Sequence, residues 1–159
     1  MRVAEIPIAI PDPSSSPSRT ASAPFVVRER VRWSDVDAAG IVCYGMYLRF
    51  FELAESELFR MVGLPVRTLS GIHGLWLVRR RIECDFLQPV CLDEELEISV
   101  HVAAIGSTSL ELGFQVGRVG ETVCTASGRY VLVAVDRESL QPLPIPDPIR
   151  TALDPYRSR

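Results

Sequence analysis

The chain has 159 residues, which is enough for one domain with its own hydrophobic core. Apolar residues make up 47% and charged residues 23%, with a net charge of −3, so the composition is that of a soluble globular protein without a nucleic-acid-binding surface. No apolar stretch approaches the roughly 20 residues of a membrane span. The N-terminus also lacks a secretory pattern, so we expect a cytoplasmic protein that does not bind membranes.

Prolines divide the chain into a central domain and two tails. They crowd residues 1–24, among many serines, and crowd the end of the chain again. Because proline fixes φ and lacks an N–H donor, such segments resist regular structure. We therefore predict a disordered or loosely docked arm at 1–24, a functional domain at 25–140, and an extended tail at 141–159 that has room for one short helical turn.

The domain begins with a strand and a long helix. Alternation from Phe25 to Trp33 predicts the strand, and loop-forming residues follow it up to Gly40. A helix of about five turns is predicted from Tyr44 to Val62, because apolar residues recur there at spacings of three and four. The residues of that apolar stripe are Tyr47, Phe51, Ala54, Leu58 and Met61.

Four further strands follow at 75–86, 94–105, 109–118 and 121–135. One helix among five strands with short connections predicts an α+β fold, an antiparallel sheet with the helix on one face. Alternation in the second strand puts one set of side chains on the core face, and the set is Trp76, Val78, Ile82, Cys84 and Phe86. By the same alternation Arg80 faces the core, to pair with Glu52 or to meet another subunit, whereas Arg79 and Arg81 belong to a solvated and paired strand edge.

Two aspartates, Asp35 and Asp37, stand in the loop before the long helix. Asp37 lies about seven residues ahead of the helix, too far to cap its first turn. A loop carboxylate beside a helix N-terminus is suited to catalysis, because free N–H groups there polarise a carbonyl that the carboxylate attacks or hydrates. An ordinary turn built on aspartates is the alternative interpretation.

Few other side chains have the spacing of a catalytic or metal-binding site. The four cysteines form no Cys-x-x-Cys pair and the two histidines are far apart, so we expect reduced thiols and no metal site. Cys43 lies near Asp37, but no histidine is close in sequence to activate it. His73 and His101 are predicted to be surface or loop residues. Glu52 and Glu55, on the predicted helix, are weaker candidates for the catalytic carboxylate.

The segment Asp35-x-Asp37-x-x-Gly40-Ile41-Val42, with an aromatic at Tyr44 and an amphipathic helix after it, resembles the hotdog acyl-CoA thioesterases. The pattern is similar to that of the 4-hydroxybenzoyl-CoA thioesterases and of the short-chain enzymes encoded beside the Tol-Pal genes. The resemblance covers 25–140, and its further motifs are Phe51-Glu52-x-Ala54, Gly63-Leu64-Pro65, Pro89 with Leu92-Asp93-Glu94, and Gly106-Ser107-Thr108-Ser109.

The resemblance implies a single hotdog domain, a five-stranded antiparallel sheet wrapped around the long helix. It implies a homodimer or homotetramer with the active site between two chains. Asp37 would be the nucleophile or general base, the backbone N–H of Tyr44 would polarise the thioester carbonyl, and Gly40 would form the turn between them. Coenzyme A would contact the segment made of Gly106, Ser107, Thr108 and Ser109.

The implied reaction is hydrolysis of an acyl-CoA thioester to a free acid and a thiol, without a cofactor other than the coenzyme A of the substrate. Many relatives have histidine where this chain has Tyr44, and most have asparagine where it has Met46. A carrier-protein thioester as substrate, and a non-catalytic acyl-CoA-binding protein, are the alternatives. A hotdog dehydratase is disfavoured because no histidine stands near the helix start. Trp76, Phe86 and Tyr130 belong either to an acyl pocket or to the core.

Overall fold

The computed structural model describes residues 23–158. The arm predicted for residues 1–24 therefore lies, except for its last two residues, outside the described part. The helices and strands are β1 (Phe25–Arg30), α1 (Tyr47–Met61), α2 (Val66–Gly71), β2 (Leu75–Phe86), β3 (Glu95–Ile105), β4 (Ser109–Arg118), β5 (Cys124–Asp136) and α3 (Asp147–Leu153). Short 3₁₀ turns occupy Trp33–Asp35, Tyr44–Met46 and Asp154–Tyr156.

The five strands form one antiparallel sheet in the order β1-β3-β4-β5-β2, so β1 and β2 are its edges. The long helix α1 packs on one face of this sheet. The predicted α+β fold, one long helix on a five-stranded antiparallel sheet, is confirmed. Among the described residues, none of the helices has the length and apolar character needed to cross a membrane.

Helix α1 buries one broad face against the sheet, whereas Met61, the last residue of the predicted stripe, is 65% exposed. Phe50 and Phe51 are both inaccessible to solvent. The Phe51 ring stacks on Phe114 at 4.8 Å between centroids and meets the Tyr130 ring edge-on at 5.8 Å. A side chain on Gly128 would overlap the Phe51 ring, so only glycine leaves space for it. Burying a ring of this size contributes about 2 to 3 kcal/mol.

Strand β2 contains a β-bulge that the sequence pattern does not predict. Arg79 pairs with Leu132 and Arg81 with the neighbouring Val131, so Arg80 is the extra residue. This extra residue reverses which alternate side chains of β2 face the helix. Before the bulge, the side chains that face α1 are those of Leu75, Leu77 and Arg79. After the bulge they come from Ile82, Cys84 and Phe86. The prediction that Trp76, Val78 and Arg80 share the core face is therefore wrong, whereas it is right for the three residues after the bulge.

Two short helices lie outside the predicted pattern. Helix α2 follows Pro65 and packs beside β2. Helix α3 in the tail has seven residues and starts at Asp147-Pro148, an acidic residue and a proline suited to a first turn. Its buried side chains Ile149 and Leu153 join the core, so the tail packs onto the domain more extensively than one helical turn would.

Candidate active site

Residues 36–42 form a small hairpin that presents Asp37. Val36 and Val42 pair as an antiparallel bridge, and the Asp37 N–H donates to the Ile41 carbonyl at 2.9 Å. The Gly40 N–H donates to the Asp37 carbonyl, and Gly40 has φ of +77°, a conformation that favours glycine. The positive φ of Gly40 thus supports its predicted role in the turn.

The Asp37 carboxylate is exposed. Its Oδ1 accepts the Ala39 N–H at 2.8 Å, as in an Asx turn, which holds the side chain in one direction. Among the described residues Oδ2 has no partner. The turn interpretation and the catalytic one are therefore compatible, because one oxygen orients the carboxylate and the other stays free for chemistry.

A buried ion-pair network holds the base of this hairpin. Asp35 is 1% exposed, and its Oδ2 accepts the Arg32 N–H at 2.9 Å and Arg49 Nη2 at 2.7 Å. Arg49 also pairs with Glu29 at 3.0 Å. The Asp35 carbonyl accepts the Cys43 N–H at 2.9 Å, so this residue ties both limbs of the hairpin to the helix. This network was not predicted from the sequence, although Arg49, an arginine on the polar side of the predicted helix, is a signal for it.

The chain enters α1 through the 3₁₀ turn Tyr44–Met46. The Met46 N–H donates to the Cys43 carbonyl at 2.8 Å, whereas the Tyr44 N–H has no partner among the described residues. Tyr44 is 76% exposed, so the residue that carries this amide lies at the surface. An unpaired N–H at the start of a buried helix lies at its positive end, which favours a partly negative oxygen.

Asp37 and Tyr44 line the same groove, of about 330 Å³. The Tyr47 and Phe86 rings meet edge-on in its wall, 5.2 Å apart. The other residues that line this Asp37 groove are Ile41, Val42, Leu87, Gln88 and Pro89. A free carboxylate and a free amide thus meet at an apolar surface, which suits a substrate with a polar reacting group and an apolar body.

No cysteine or histidine is among the residues that line this groove. Burial is the main cause that raises the pKa of Cys84 to about 11, so its thiol is neutral near pH 7. His101 lies in β3 rather than in a loop, packed against Gly113, and burial lowers its pKa. Within residues 23–158 no cluster of His, Cys, Asp or Glu has a metal-binding arrangement.

A second cavity of about 340 Å³ lies along the later turns of α1, beside Glu55 and Arg79. Glu55 is 8% exposed, and its Oε2 accepts Arg79 Nη2 at 2.6 Å. Burial raises the pKa of Glu55 and outweighs the opposing effect of Arg79. The Arg79 guanidinium also lies 5.2 Å from the centre of the Tyr130 ring. As predicted, Arg79 is paired and its side chain is still 36% exposed, but the bulge turns it toward the helix, a direction that the sequence did not predict.

The segment Gly106–Ser109 lies at the other end of the sheet from Asp37. It joins β3 to β4, whereas the Asp37 hairpin lies beside the first residues of β3, where the Val31 N–H donates to the Glu94 carbonyl. The length of β3 separates the two by about 33 Å. Arg150 of the tail donates to the carbonyls of Gly106 and Ser107 at 2.7 and 2.9 Å.

The structure therefore brings together two of the predicted site residues, Asp37 and Tyr44, with Gly40 in the turn between them. It does not bring Gly106, Ser107, Thr108 and Ser109 to them within one chain. Glu55 is eleven positions from Tyr44, about 18 Å along the 3₁₀ turn and α1. It therefore does not share a substrate carbonyl with the Tyr44 amide of the same chain.

Known proteins share this fold and sequence pattern. The family model described as the thioesterase-like superfamily matches residues 31–153. An acyl-CoA thioesterase, YbgC of Haemophilus influenzae, is 27% identical over 124 residues, which cover 77% of this chain and 89% of that protein. A 1,4-dihydroxy-2-naphthoyl-CoA hydrolase of Thermosynechococcus vestitus is 24% identical over 120 residues, covering 75% and 81%.

The solved structure of a 1,4-dihydroxy-2-naphthoyl-CoA thioesterase from Synechocystis superposes with a TM-score of 0.77 at 17% identity, covering 83% of this chain and 96% of that one. That likeness shows a shared fold. The matches confirm the family that the sequence predicts and agree with the predicted class of hydrolase. The chain belongs to the thioesterase-like superfamily and has its hotdog fold.

Proposed function

We propose that this chain is an acyl-CoA thioesterase whose reaction takes place in the Asp37 groove. The observation that carries the proposal is that a free carboxylate oxygen of Asp37 and the unpaired N–H of Tyr44 line one apolar groove. Membership of the thioesterase-like superfamily supports the reaction class. The names of the two relatives, which act on acyl-CoA and on an aromatic acyl-CoA, support coenzyme A as the thiol carrier.

The Tyr44 N–H is the proposed partner of the thioester carbonyl oxygen. As the carbonyl carbon is attacked, negative charge develops on this oxygen, and a donor fixed at the positive end of α1 stabilises that charge. A donor of this kind contributes roughly 3 kcal/mol to lowering the barrier. The 3₁₀ turn fixes its position through the Met46–Cys43 hydrogen bond.

Asp37 acts in one of two ways. As a nucleophile, its carboxylate oxygen bonds to the carbonyl carbon, the C–S bond breaks, and coenzyme A leaves as a thiolate that takes a proton from water. Water then cleaves the mixed anhydride and restores Asp37. As a general base, Asp37 removes a proton from a water molecule that attacks the carbonyl directly. Both routes yield a free acid and a free thiol.

Coenzyme A extends away from the groove, and Gly106–Ser109 of the same chain is about 33 Å distant. We therefore propose that a second copy supplies this segment, in a homodimer or a pair of dimers. Light scattering tests the assembly. Mixing two inactive chains, one Asp37→Asn and one altered at Ser107 to Ser109, should restore part of the activity if one site uses both chains.

The decisive experiment compares Asp37→Asn with the wild type in a free-thiol assay over short, long and aromatic acyl-CoAs. Asparagine keeps the oxygen that accepts the Ala39 N–H, so the loop should stay folded while hydrolysis falls by at least a hundredfold. Asp136→Asn is the matched control, because Asp136 accepts the Glu138 N–H in a similar exposed turn elsewhere. Wild-type rates for Asp37→Asn would refute the proposal.

Two further measurements refine the mechanism and the carrier. A single turnover in heavy-oxygen water that labels Asp37 itself would indicate the nucleophilic route, with water attacking the aspartyl carbon of the mixed anhydride. Comparing an acyl-CoA with the same acyl group on a carrier protein tests the alternative carrier. Binding of acyl-CoA without turnover would instead indicate a non-catalytic binding protein.

A further inference from the structure

The segment between β2 and β3 contributes the side-chain amide of Gln88 to the wall of the Asp37 groove. The residues on either side of it, Leu87 and Pro89, add only apolar side chains to that wall. The reaction proposed above uses the Asp37 carboxylate and the Tyr44 N–H, and it leaves the Gln88 amide without a role. Gln88 is exposed, so a substrate in the groove can reach its amide.

Backbone hydrogen bonds fix the position of Gln88 relative to the hairpin that carries Asp37. The Gln88 N–H donates to a carbonyl of β5 at 3.0 Å. Two residues later, the Val90 carbonyl accepts the Val42 N–H at 2.8 Å, and within the hairpin the Ile41 carbonyl accepts the Asp37 N–H at 2.9 Å. The two polar groups of the groove are therefore joined by a short series of backbone contacts.

Arg118, the last residue of β4, fixes the direction of the Gln88 side chain. Its Nη1 donates to Gln88 Oε1 at 3.2 Å, its Nη2 to the Pro89 carbonyl at 2.6 Å, and its Nε to Glu94 at 2.8 Å. With these partners the Arg118 side chain is only 20% exposed. Because a guanidinium only donates, it binds the oxygen of the Gln88 amide and turns the NH₂ group away from itself. That NH₂ group has no partner among the described residues.

We propose, on the basis of the acyl-CoA thioesterase function above, that the Gln88 amide is a second donor to the thioester carbonyl oxygen, and that Arg118 is the positioning residue that holds it. The oxygen becomes negative as its carbon is attacked, and it then accepts more than the single hydrogen bond of the Tyr44 N–H. A neutral amide suits this position, because a cation beside Asp37 would pair with the carboxylate that the reaction needs.

The test measures kcat and KM of two Gln88 variants with an acyl-CoA that the wild type hydrolyses. Gln88→Met keeps the length of the side chain and removes its hydrogen bonds. Gln88→Glu keeps an oxygen for Arg118 but has no N–H to donate at neutral pH. In both variants kcat should fall at least about tenfold while KM changes less than about threefold, as expected for a donor that acts mainly in the transition state. The matched control is Gln115→Met, at an exposed glutamine of β4 outside the groove, which should keep the wild-type kcat.

A second experiment tests the positioning role of Arg118. Arg118→Lys keeps the charge, but an ammonium group cannot reproduce the three-way contact of the guanidinium. If Arg118 acts through Gln88, Arg118→Lys should lower kcat about fivefold in the wild type and less than about twofold in the Gln88→Met background. A merely structural role would lower kcat by the same factor in both backgrounds, and urea denaturation of each variant measures any loss of stability separately.

The outcomes separate the two proposals. A wild-type kcat in either Gln88 variant would overturn the donor role, and a raised KM with unchanged kcat would also overturn it, because the amide would then only bind the substrate. If Asp37→Asn abolishes hydrolysis while the Gln88 variants keep it, only this inference fails. Absence of turnover by the wild type with every acyl-CoA would refute the proposed function together with the inference.

Discussion

Replacing Asp35 by alanine should destabilise the protein more than removing any surface ion pair. Asp35 is almost fully buried, and its carboxylate accepts hydrogen bonds from the backbone of Arg32 and from Arg49. Removing one partner of a buried pair typically costs 3 to 5 kcal/mol, because the other charge is left uncompensated. Arg49 is 29% exposed and keeps Glu29, so we expect the lower end of that range, about 3 kcal/mol.

The conservative variant separates charge from shape. Asp35→Asn keeps an oxygen for the Arg32 N–H and loses only the charge-assisted part of the contact with Arg49, so its cost should be about 1.5 kcal/mol. Glu97→Gln, which weakens an exposed pair with Arg28, should cost less than about 1 kcal/mol.

Urea denaturation and thermal melting measure these changes. For a chain of this length, about 3 kcal/mol corresponds to a lowering of Tm by about 6 to 12 °C. A double-mutant cycle with Arg49→Met should show a coupling of about 2 kcal/mol between Asp35 and Arg49. A loss below about 1 kcal/mol for Asp35→Ala, or no coupling in the cycle, would show that the network does not hold the hairpin.

Three further predictions address packing, reactivity and pH. Gly128→Ala should lower the free energy of unfolding by about 2 kcal/mol, because its methyl group overlaps the Phe51 ring; an unchanged urea midpoint would contradict this packing. Iodoacetamide should label exposed Cys91 well before Cys84, whose pKa is raised to about 11; peptide mass spectrometry that finds equal rates would contradict the assigned burial. Burial raises the pKa of Glu55 above 4.5 in the folded chain, so folding favours the protonated carboxyl group. The contribution of Glu55 to stability is therefore complete below pH 4.5 and is lost as the pH rises through the raised pKa. The stability of the wild type relative to Glu55→Gln should therefore decrease from pH 4.5 toward neutrality, and an increase measured by urea denaturation would mean that Arg79 dominates.

The parts of the fold that depend on local pattern could be predicted from the sequence. Strand alternation and a three-to-four spacing are properties of neighbouring residues, so the helix and all five strands were placed within a few positions. The helix start was predicted at Tyr44, but its first turn is 3₁₀ and α1 begins at Tyr47. Asp37 and Tyr44 are close in sequence, so their shared groove also follows from local order.

The parts that depend on distant residues could not be predicted. Three consecutive arginines, at 79 to 81, do not indicate which one is the extra residue of a bulge, because that depends on the strand opposite. The pairing of Arg79 with Glu55 was therefore missed. The distance between Gly106–Ser109 and Asp37 likewise depends on the sheet topology, which local sequence patterns do not give. Whether a second copy brings this segment to the groove depends on contacts between two chains.

Two ion-pair groups, one largely buried and one partly exposed, connect helix α1 to opposite edges of the sheet. Glu29 of edge strand β1 pairs with Arg49 near the start of the helix, and Arg79 of edge strand β2 pairs with Glu55 two turns later. Since the first group also includes Asp35, the same contacts fix the hairpin that carries Asp37. The Tyr44 amide and the Asp37 carboxylate are thus positioned by one network before any substrate binds. The proposed catalysis requires such fixed geometry, because donors that must reorient during a reaction lose much of their effect.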